Sequence, residues 1–186
     1  MLYFLPIFVA KFTRMKIVLL GYMGSGKTTV GKQLAKKLYV PFYDLDQYIE
    51  SREGASISEI FKNKGEIYFR KIEHTYLKEF FNEKESYILS LGGGTPCYAG
   101  NMDVILQQEN STSIYLQASI STLKDRLEKN KSKRPIVASL SEEKLTEFIA
   151  KHLFERRAFY SQAKHSVKVD EKDLETITAE IRILLH

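Results

Sequence analysis

The sequence predicts an α/β fold, with a five-stranded parallel sheet flanked by helices in a three-layer sandwich. Three observations carry that expectation. Short apolar, partly β-branched runs alternate with segments whose apolar residues recur at helical spacing. Three of those runs end in glycine- or aspartate-rich turns, at the edge where parallel sheets bind ligands. The 186 residues show no internal repeat and no low-complexity linker, which suits one domain.

The first strand is expected at Lys16-Ile17-Val18-Leu19-Leu20. A glycine-rich turn follows, then a helix carrying Val30, Leu34 and Leu38 at helical spacing. Pro41 marks a break, and Phe42-Tyr43-Asp44 is a second strand running into Asp44-Leu45-Asp46. Ser56 and Glu59 have the form of a capping box ahead of Ile60 and Phe61. Gly65 interrupts, and a longer helix then places Phe69, Ile72, Tyr76 and Phe80 on one face. Residues 87–91 read as the third strand, with Gly92-Gly93-Gly94 at its end. Asn101 is expected to cap a short helix ending near Glu109. Residues 113–117 are the fourth strand, and a helix starts near Thr122. Residues 129–139 carry four basic residues and a proline with little amphipathic pattern, and are expected to be a mobile loop. Ser139 and Glu142 suggest a second capping box for a helix with Leu145, Ile149, His152 and Arg156. Residues 167–169 are the fifth strand, and Leu174, Ile177, Ile181 and Leu184 form a last amphipathic helix.

Composition narrows the partners. A net charge of +5 admits nucleic acid or small polyanions, but no long basic run or stacking motif favours nucleic acid. The single cysteine, Cys97, excludes an internal disulfide and fits a reducing cytosol, so a cytoplasmic location is expected. Residues 2–10 are apolar but too short to span a bilayer. Their basic neighbours Lys11 and Arg14 follow the run, where a signal peptide would carry them before it. The expected organisation is a leader over residues 1–14 outside the fold and one domain over 15–186, with no membrane partner. A weak membrane-surface contact by the leader is the alternative.

The chemistry begins at residues 21–28, Gly-Tyr-Met-Gly-Ser-Gly-Lys-Thr, a complete G-x-x-x-x-G-K-[ST] loop between a predicted strand and a predicted helix. Gly24 and Gly26 let backbone N–H groups press on phosphate oxygens, and the helix N-terminus adds its dipole. Lys27 supplies charge for the β and γ phosphates, and the Thr28 hydroxyl suits Mg²⁺. The loop alone does not say which group receives the phosphate. Asp44 and Asp46, two apart at a strand end, face one side if the strand continues. One can then hold Mg²⁺ while the other accepts a hydrogen bond from an attacking hydroxyl. Arg70 has Glu66 at i−4 and Glu73 at i+3. It is either part of a surface ion-pair ladder or a guanidinium held rigid to fork onto a carboxylate. The three glycines 92–94 permit close backbone approach to a small substrate. Arg134-Pro135, in the basic loop, can close over a nucleotide. Arg156 sits one turn before Tyr160, with Arg157 competing for any role.

The ordered set is Gly21-x-x-Gly24-x-Gly26-Lys27-Thr28, Asp44-x-Asp46, Gly65-Glu66-x-x-Phe69-Arg70-x-x-Glu73, Gly92-Gly93-Gly94, Lys133-Arg134-Pro135 and Glu155-Arg156-x-x-x-Tyr160. It resembles the shikimate kinase family over nearly the whole chain. The resemblance implies a P-loop kinase form of the three-layer sandwich with a mobile lid at about residues 129–139. It also implies ATP-dependent phosphorylation of the 3-hydroxyl of shikimate, in aromatic amino-acid biosynthesis. Carried over by position, Gly24, Ser25, Gly26, Lys27, Thr28 and Thr29 hold the ATP phosphates. Thr28 is a ligand to one Mg²⁺, with Asp44 in its outer sphere. Asp46 binds the shikimate hydroxyls, Arg70 and Arg156 its carboxylate, and Gly93 its ring hydroxyls. Arg134 is the lid arginine and Arg126 lies against the adenine. Lys27, Asp46 and Arg134 are thus the expected catalytic set, in an enzyme expected to be a monomer. The leader is additional to the family pattern, the stretch from Arg126 to Arg134 is one residue longer, and nothing around 171–173 matches the family's C-terminal adenine contact. The alternatives are another small-molecule kinase, such as a gluconate or nucleoside monophosphate kinase, and a nucleotide-binding module without catalysis.

Overall fold

The structure is a computed structural model that describes residues 15–129, 137 and 140–185. Its five strands are β1 (Lys16–Leu20), β2 (Phe42–Asp44), β3 (Tyr87–Ser90), β4 (Ser111–Gln117) and β5 (His165–Lys168). They form one sheet in the order β2-β3-β1-β4-β5, parallel throughout. β1 lies at the centre, and Ile17, Val18, Leu19 and Leu20 are all fully buried. A strand covered on both faces needs such an unbroken apolar run.

The described helices are α1 (Lys27–Leu38), α2 (Leu45–Glu53), α3 (Ile57–Glu83), α4 (Asn101–Leu106), α5 (Ile120–Glu128), α6 (Glu142–Tyr160) and α7 (Leu174–Leu184), with a 3₁₀ turn at Thr95–Cys97. α1 packs against α7, α2 against α3, and α5 against α6. Gly31 lets α1 approach β2 closely. A Cβ there would stand 2.5 Å from the Phe42 ring.

Several boundaries follow the sequence. The Ser56–Glu59 capping box is present in full, and Gly65 breaks α3 with φ 80° and ψ 173°. Other expectations are corrected. The strand expected at residues 42–44 is β2, but its geometry does not continue to Asp46. It ends at Asp44, whose carboxylate accepts from the Asp46 N–H and starts α2. Asn101 does not cap α4; Gly100, at φ 69°, precedes the helix. Asn101 is buried and donates from Nδ2 to the Thr95 carbonyl. Ser141 caps α6, accepting from the Lys144 N–H, two residues later than the Ser139 expected for that task. The predicted leader (1–14) and all of the predicted lid except Lys129 and Val137 lie outside the described residues.

Candidate active site

The C-terminal ends of β1, β2 and β3 converge on a cleft of about 510 Å³. The phosphate loop forms one wall, and Asp44, Asp46, Gly92, Gly93 and Arg126 also line it.

Gly24 and Gly26 adopt φ 85° and 101°, a region that favours glycine. Lys27 Nζ donates to the carbonyls of Gly21 (2.7 Å) and Tyr22 (3.1 Å). The Ser25 hydroxyl is turned under the loop, 2.8 Å from where a Gly21 Cβ would be. Thr28 and Thr29 begin α1 and are exposed. The loop therefore opens a helix N-terminus toward the cleft, which is the arrangement that receives an anion.

Thr28 Oγ1 lies 3.4 Å from Asp44 Oδ2, at the mouth of the loop. A hydroxyl and a carboxylate beside a phosphate-binding loop are hard oxygen donors of the kind Mg²⁺ takes, and they fit it. Among the described residues no group of three or more His, Cys, Asp or Glu side chains could hold a metal unaided.

Asp46 stands in the first turn of α2, half-buried. Burial, then the Asp44 and Glu73 carboxylates, raise its carboxyl from the ordinary 3.8 to about 7, against the opposing charge of Lys27. A carboxylate that titrates near neutrality is suited to accept a proton. Gly92 leaves room for it: a Cβ there would come within 3.1 Å of Asp46 Oδ1.

Arg70 meets both neighbouring acids: its Nε and Nη2 lie 3.4 Å from Oε1 of the exposed Glu66. Its Nη1 donates to Glu73 Oε2 at 2.9 Å, and Glu73 is 1% exposed. The other Glu73 oxygen accepts from the Thr95 hydroxyl at 2.6 Å. The guanidinium is stacked 4.0 Å from the Tyr98 ring centre. It also approaches the glycine turn, since a Gly94 Cβ would sit 3.0 Å from its Nη2. Arg156 reaches the same turn from α6, with Nη1 3.6 Å from a Cβ placed on Gly93. The buried Tyr160 hydroxyl donates to the Gly93 carbonyl and fixes the turn from beneath. Two guanidiniums thus flank Gly93-Gly94, next to Asp46 and across from the phosphate loop.

Arg126 donates from Nη1 to the Gly24 and Ser25 carbonyls and from Nη2 to that of Val169. Its guanidinium borders the cleft on the side where Lys172, Leu174 and Ile177 complete the wall. Arg134 lies outside the described residues. The other expected site residues are brought to this one edge.

Sequence reading passed over the supporting residues. Thr95 and Tyr98 follow the triple glycine but carry no motif of their own, and Asn101 presents itself in sequence only as a helix cap. His74 Nδ1 lies 2.8 Å from Asn101 Oδ1, which links α3 to that turn. Leu174 and Ile177 look like core residues of α7, and only the cleft distinguishes them.

A family model described as shikimate kinase matches residues 23–185. A curated shikimate kinase from Flavobacterium psychrophilum is 51% identical over 91% of this chain and 98% of its own. Among solved structures, a shikimate kinase from Bacteroides thetaiotaomicron superposes with a TM-score of 0.85 at 36% identity, over 92% of this chain and 98% of that one. A shikimate kinase from Acinetobacter baumannii in complex with shikimate gives 0.84 at 28% identity, over 95% and 96%.

Proposed function

The chain belongs to the shikimate kinase family, and on that premise we propose how its residues divide the reaction. The enzyme is a kinase that phosphorylates shikimate with ATP. The observation that carries the assignment of roles is the pair of guanidiniums, Arg70 and Arg156, flanking Gly93-Gly94 beside Asp46.

Gly24, Ser25, Gly26, Lys27, Thr28 and Thr29 bind the ATP phosphates, with Lys27 exchanging its own loop carbonyls for β and γ oxygens. Arg126 borders the adenine. Thr28 would hold Mg²⁺ directly and Asp44 from its outer sphere, and the ion would supply positive charge against the phosphates. Arg70 and Arg156 grip the shikimate carboxylate, and the Gly93 backbone meets its ring hydroxyls. Asp46 orients the 3-hydroxyl and accepts its proton. The hydroxyl oxygen bonds to the γ-phosphorus while the bond from that phosphorus to the β–γ bridging oxygen breaks, and ADP leaves. Positioning and charge neutralisation supply most of the rate for such a loose transition state. Arg134, by its place in Lys133-Arg134-Pro135, is the lid residue that stabilises the transferring group.

A single kinase domain is supported by a family match that runs over residues 23–185. A cytoplasmic location is supported by the single cysteine, and no helix among the described residues is long and apolar enough to cross a membrane. Nucleic acid has no part in this reading.

An ADP-release assay with shikimate, gluconate and nucleoside monophosphates, with the product identified by ³¹P NMR, tests the reading. Turnover with shikimate alone and a 3-phosphate product support it. Turnover with another acceptor, or phosphate on a different hydroxyl, overturns it.

A further inference from the structure

Tyr22 belongs to the phosphate loop, yet its side chain leaves the loop for α6. It is 1% exposed. Its hydroxyl lies 3.1 Å from His152 Nδ1, and its ring lies under Arg156, whose Cζ is 5.5 Å from the ring centre. His152 and Arg156 are four residues apart on α6, so they occupy adjacent turns of one helix face and both meet the same ring. His152 is itself held edge-on by Phe148, at 4.1 Å between ring centres. On its backbone side, the Tyr22 carbonyl accepts from Lys27 Nζ and from the Ser25 N–H, each at 3.1 Å. One residue therefore touches the phosphate-binding lysine through its main chain and the acceptor arginine through its ring.

The surroundings favour the neutral form of both Tyr22 and His152. Burial raises the Tyr22 phenol to about 12, with the Arg156 charge opposing. Burial, reinforced by the Arg156 and Lys151 charges and opposed by Glu155, pushes the His152 imidazole below its usual value. Near neutral pH the phenol is protonated and the imidazole uncharged, so one neutral hydrogen bond joins them, and the tautomer with the proton on Nε2 accepts the Tyr22 O–H at Nδ1.

We propose that Tyr22 and His152 are a positioning pair that sets the Arg156 guanidinium for the acceptor carboxylate and ties its placement to the phosphate loop. The inference rests on the reading of Arg156 as a carboxylate-binding residue. Neither member of the pair touches substrate; both act through Arg156. A ring fixed by its own hydroxyl offers the guanidinium one surface to lie on, so fewer side-chain orientations are lost when the carboxylate arrives.

The test compares Tyr22→Phe, His152→Phe, His152→Gln, the Tyr22→Phe/His152→Phe double variant and Arg156→Ala. Shikimate and ATP are varied separately, and thermal unfolding checks each fold. Losing one hydrogen bond that orients Arg156 should raise the shikimate KM about three- to tenfold in both Phe variants, with the ATP KM moving less than about twofold. The double variant should be no worse than either single change, because both remove the same bond. His152→Gln should recover most of the loss, since its side-chain carbonyl can accept the phenol proton. Tyr22→Phe keeps the ring and tests the bond without disturbing packing. An unchanged shikimate KM in both Phe variants, equal rises for both substrates, or additive effects in the double variant would overturn the pair. An unchanged shikimate KM in Arg156→Ala would overturn the reading of Arg156 itself. A large rise there, with Tyr22→Phe and His152→Phe silent, would overturn only the positioning pair.

Discussion

Glu73 Oε2 accepts from Arg70 Nη1 at 2.9 Å, and the two members of this pair differ sharply in exposure, 1% for the Glu73 side chain and 19% for that of Arg70. The acid is an internal anchor, its other oxygen taken by Thr95. The base is partly exposed, and its Nε and Nη2 also lie 3.4 Å from Glu66 Oε1. Glu73→Ala should release Arg70 and orphan the Thr95 hydroxyl together. The expected result is a shikimate KM raised about tenfold or more, with a loss of about 2 kcal/mol of stability, less than a fully buried pair because Arg70 reaches water. Steady-state kinetics and thermal unfolding read both effects.

Asp46 predicts two opposite pH effects. Its folded value, about 7, lies above its ordinary 3.8. The protonated acid therefore contributes stability that is full below the ordinary value and is lost as pH rises through about 7. Asp46→Asn cannot ionise, so its melting temperature should exceed that of the parent by more at pH 8 than at pH 5, by at least about 3 °C. The same substitution should lower turnover about 10²-fold or more, because it removes the proton acceptor. In the parent enzyme, kcat/KM for shikimate should fall as pH drops through about 7, where the free enzyme's base takes up its proton.

Asp44 has two tasks that substitution can separate. It caps α2 through the Asp46 N–H and faces Thr28 across 3.4 Å. Asparagine caps as well as aspartate does but lacks the charge. Asp44→Asn should keep the melting temperature within about 1 °C while raising the Mg²⁺ concentration needed for half-maximal rate. Asp44→Ala should show the same Mg²⁺ shift and also lose about 1 kcal/mol, or roughly 2–4 °C. Thr28→Val should move the Mg²⁺ requirement without touching the cap.

The glycine turn predicts a split between binding and chemistry. A methyl at Gly94 meets the Arg70 guanidinium at 3.0 Å, whereas one at Gly92 meets Thr95 Oγ1 at 2.9 Å and Asp46 Oδ1 at 3.1 Å. Gly94→Ala should mainly raise the shikimate KM. Gly92→Ala should mainly lower kcat, by displacing the proton acceptor. A misplacement on the order of 1 Å can cost about 10²-fold. Initial-rate kinetics on the two variants distinguish these outcomes.

The parts of this site carried by local chemistry could be read directly. The phosphate loop, β1 and β2 match their expected residues, because fixed glycines, an apolar run and a proline break each leave a short-range signature. α2 was not legible. Asp44-Leu45-Asp46 looks like a strand continuing, and only the turn made by the Asp44 carboxylate converts it into a helix start. Asn101 looks like a cap, but the positive φ of Gly100 frees its side chain to turn inward. The Tyr22–His152 bond joins residues 130 apart in sequence, where no periodic pattern reaches. The apolar spacing of Leu174 and Ile177 is the same whether a helix covers a core or walls a cleft.

The central claim is that Arg70 and Arg156 recognise the acceptor by its carboxylate. The most direct measurement is the ratio of kcat/KM for shikimate to that for its neutral carboxamide, in the parent enzyme and in Arg70→Ala and Arg156→Ala. Charge-assisted pairing predicts a ratio of about 10² or more in the parent and a collapse toward unity in the variants, as shikimate loses the advantage its charge confers. An equal ratio in parent and variants would show that the carboxylate is held elsewhere and would contradict the account.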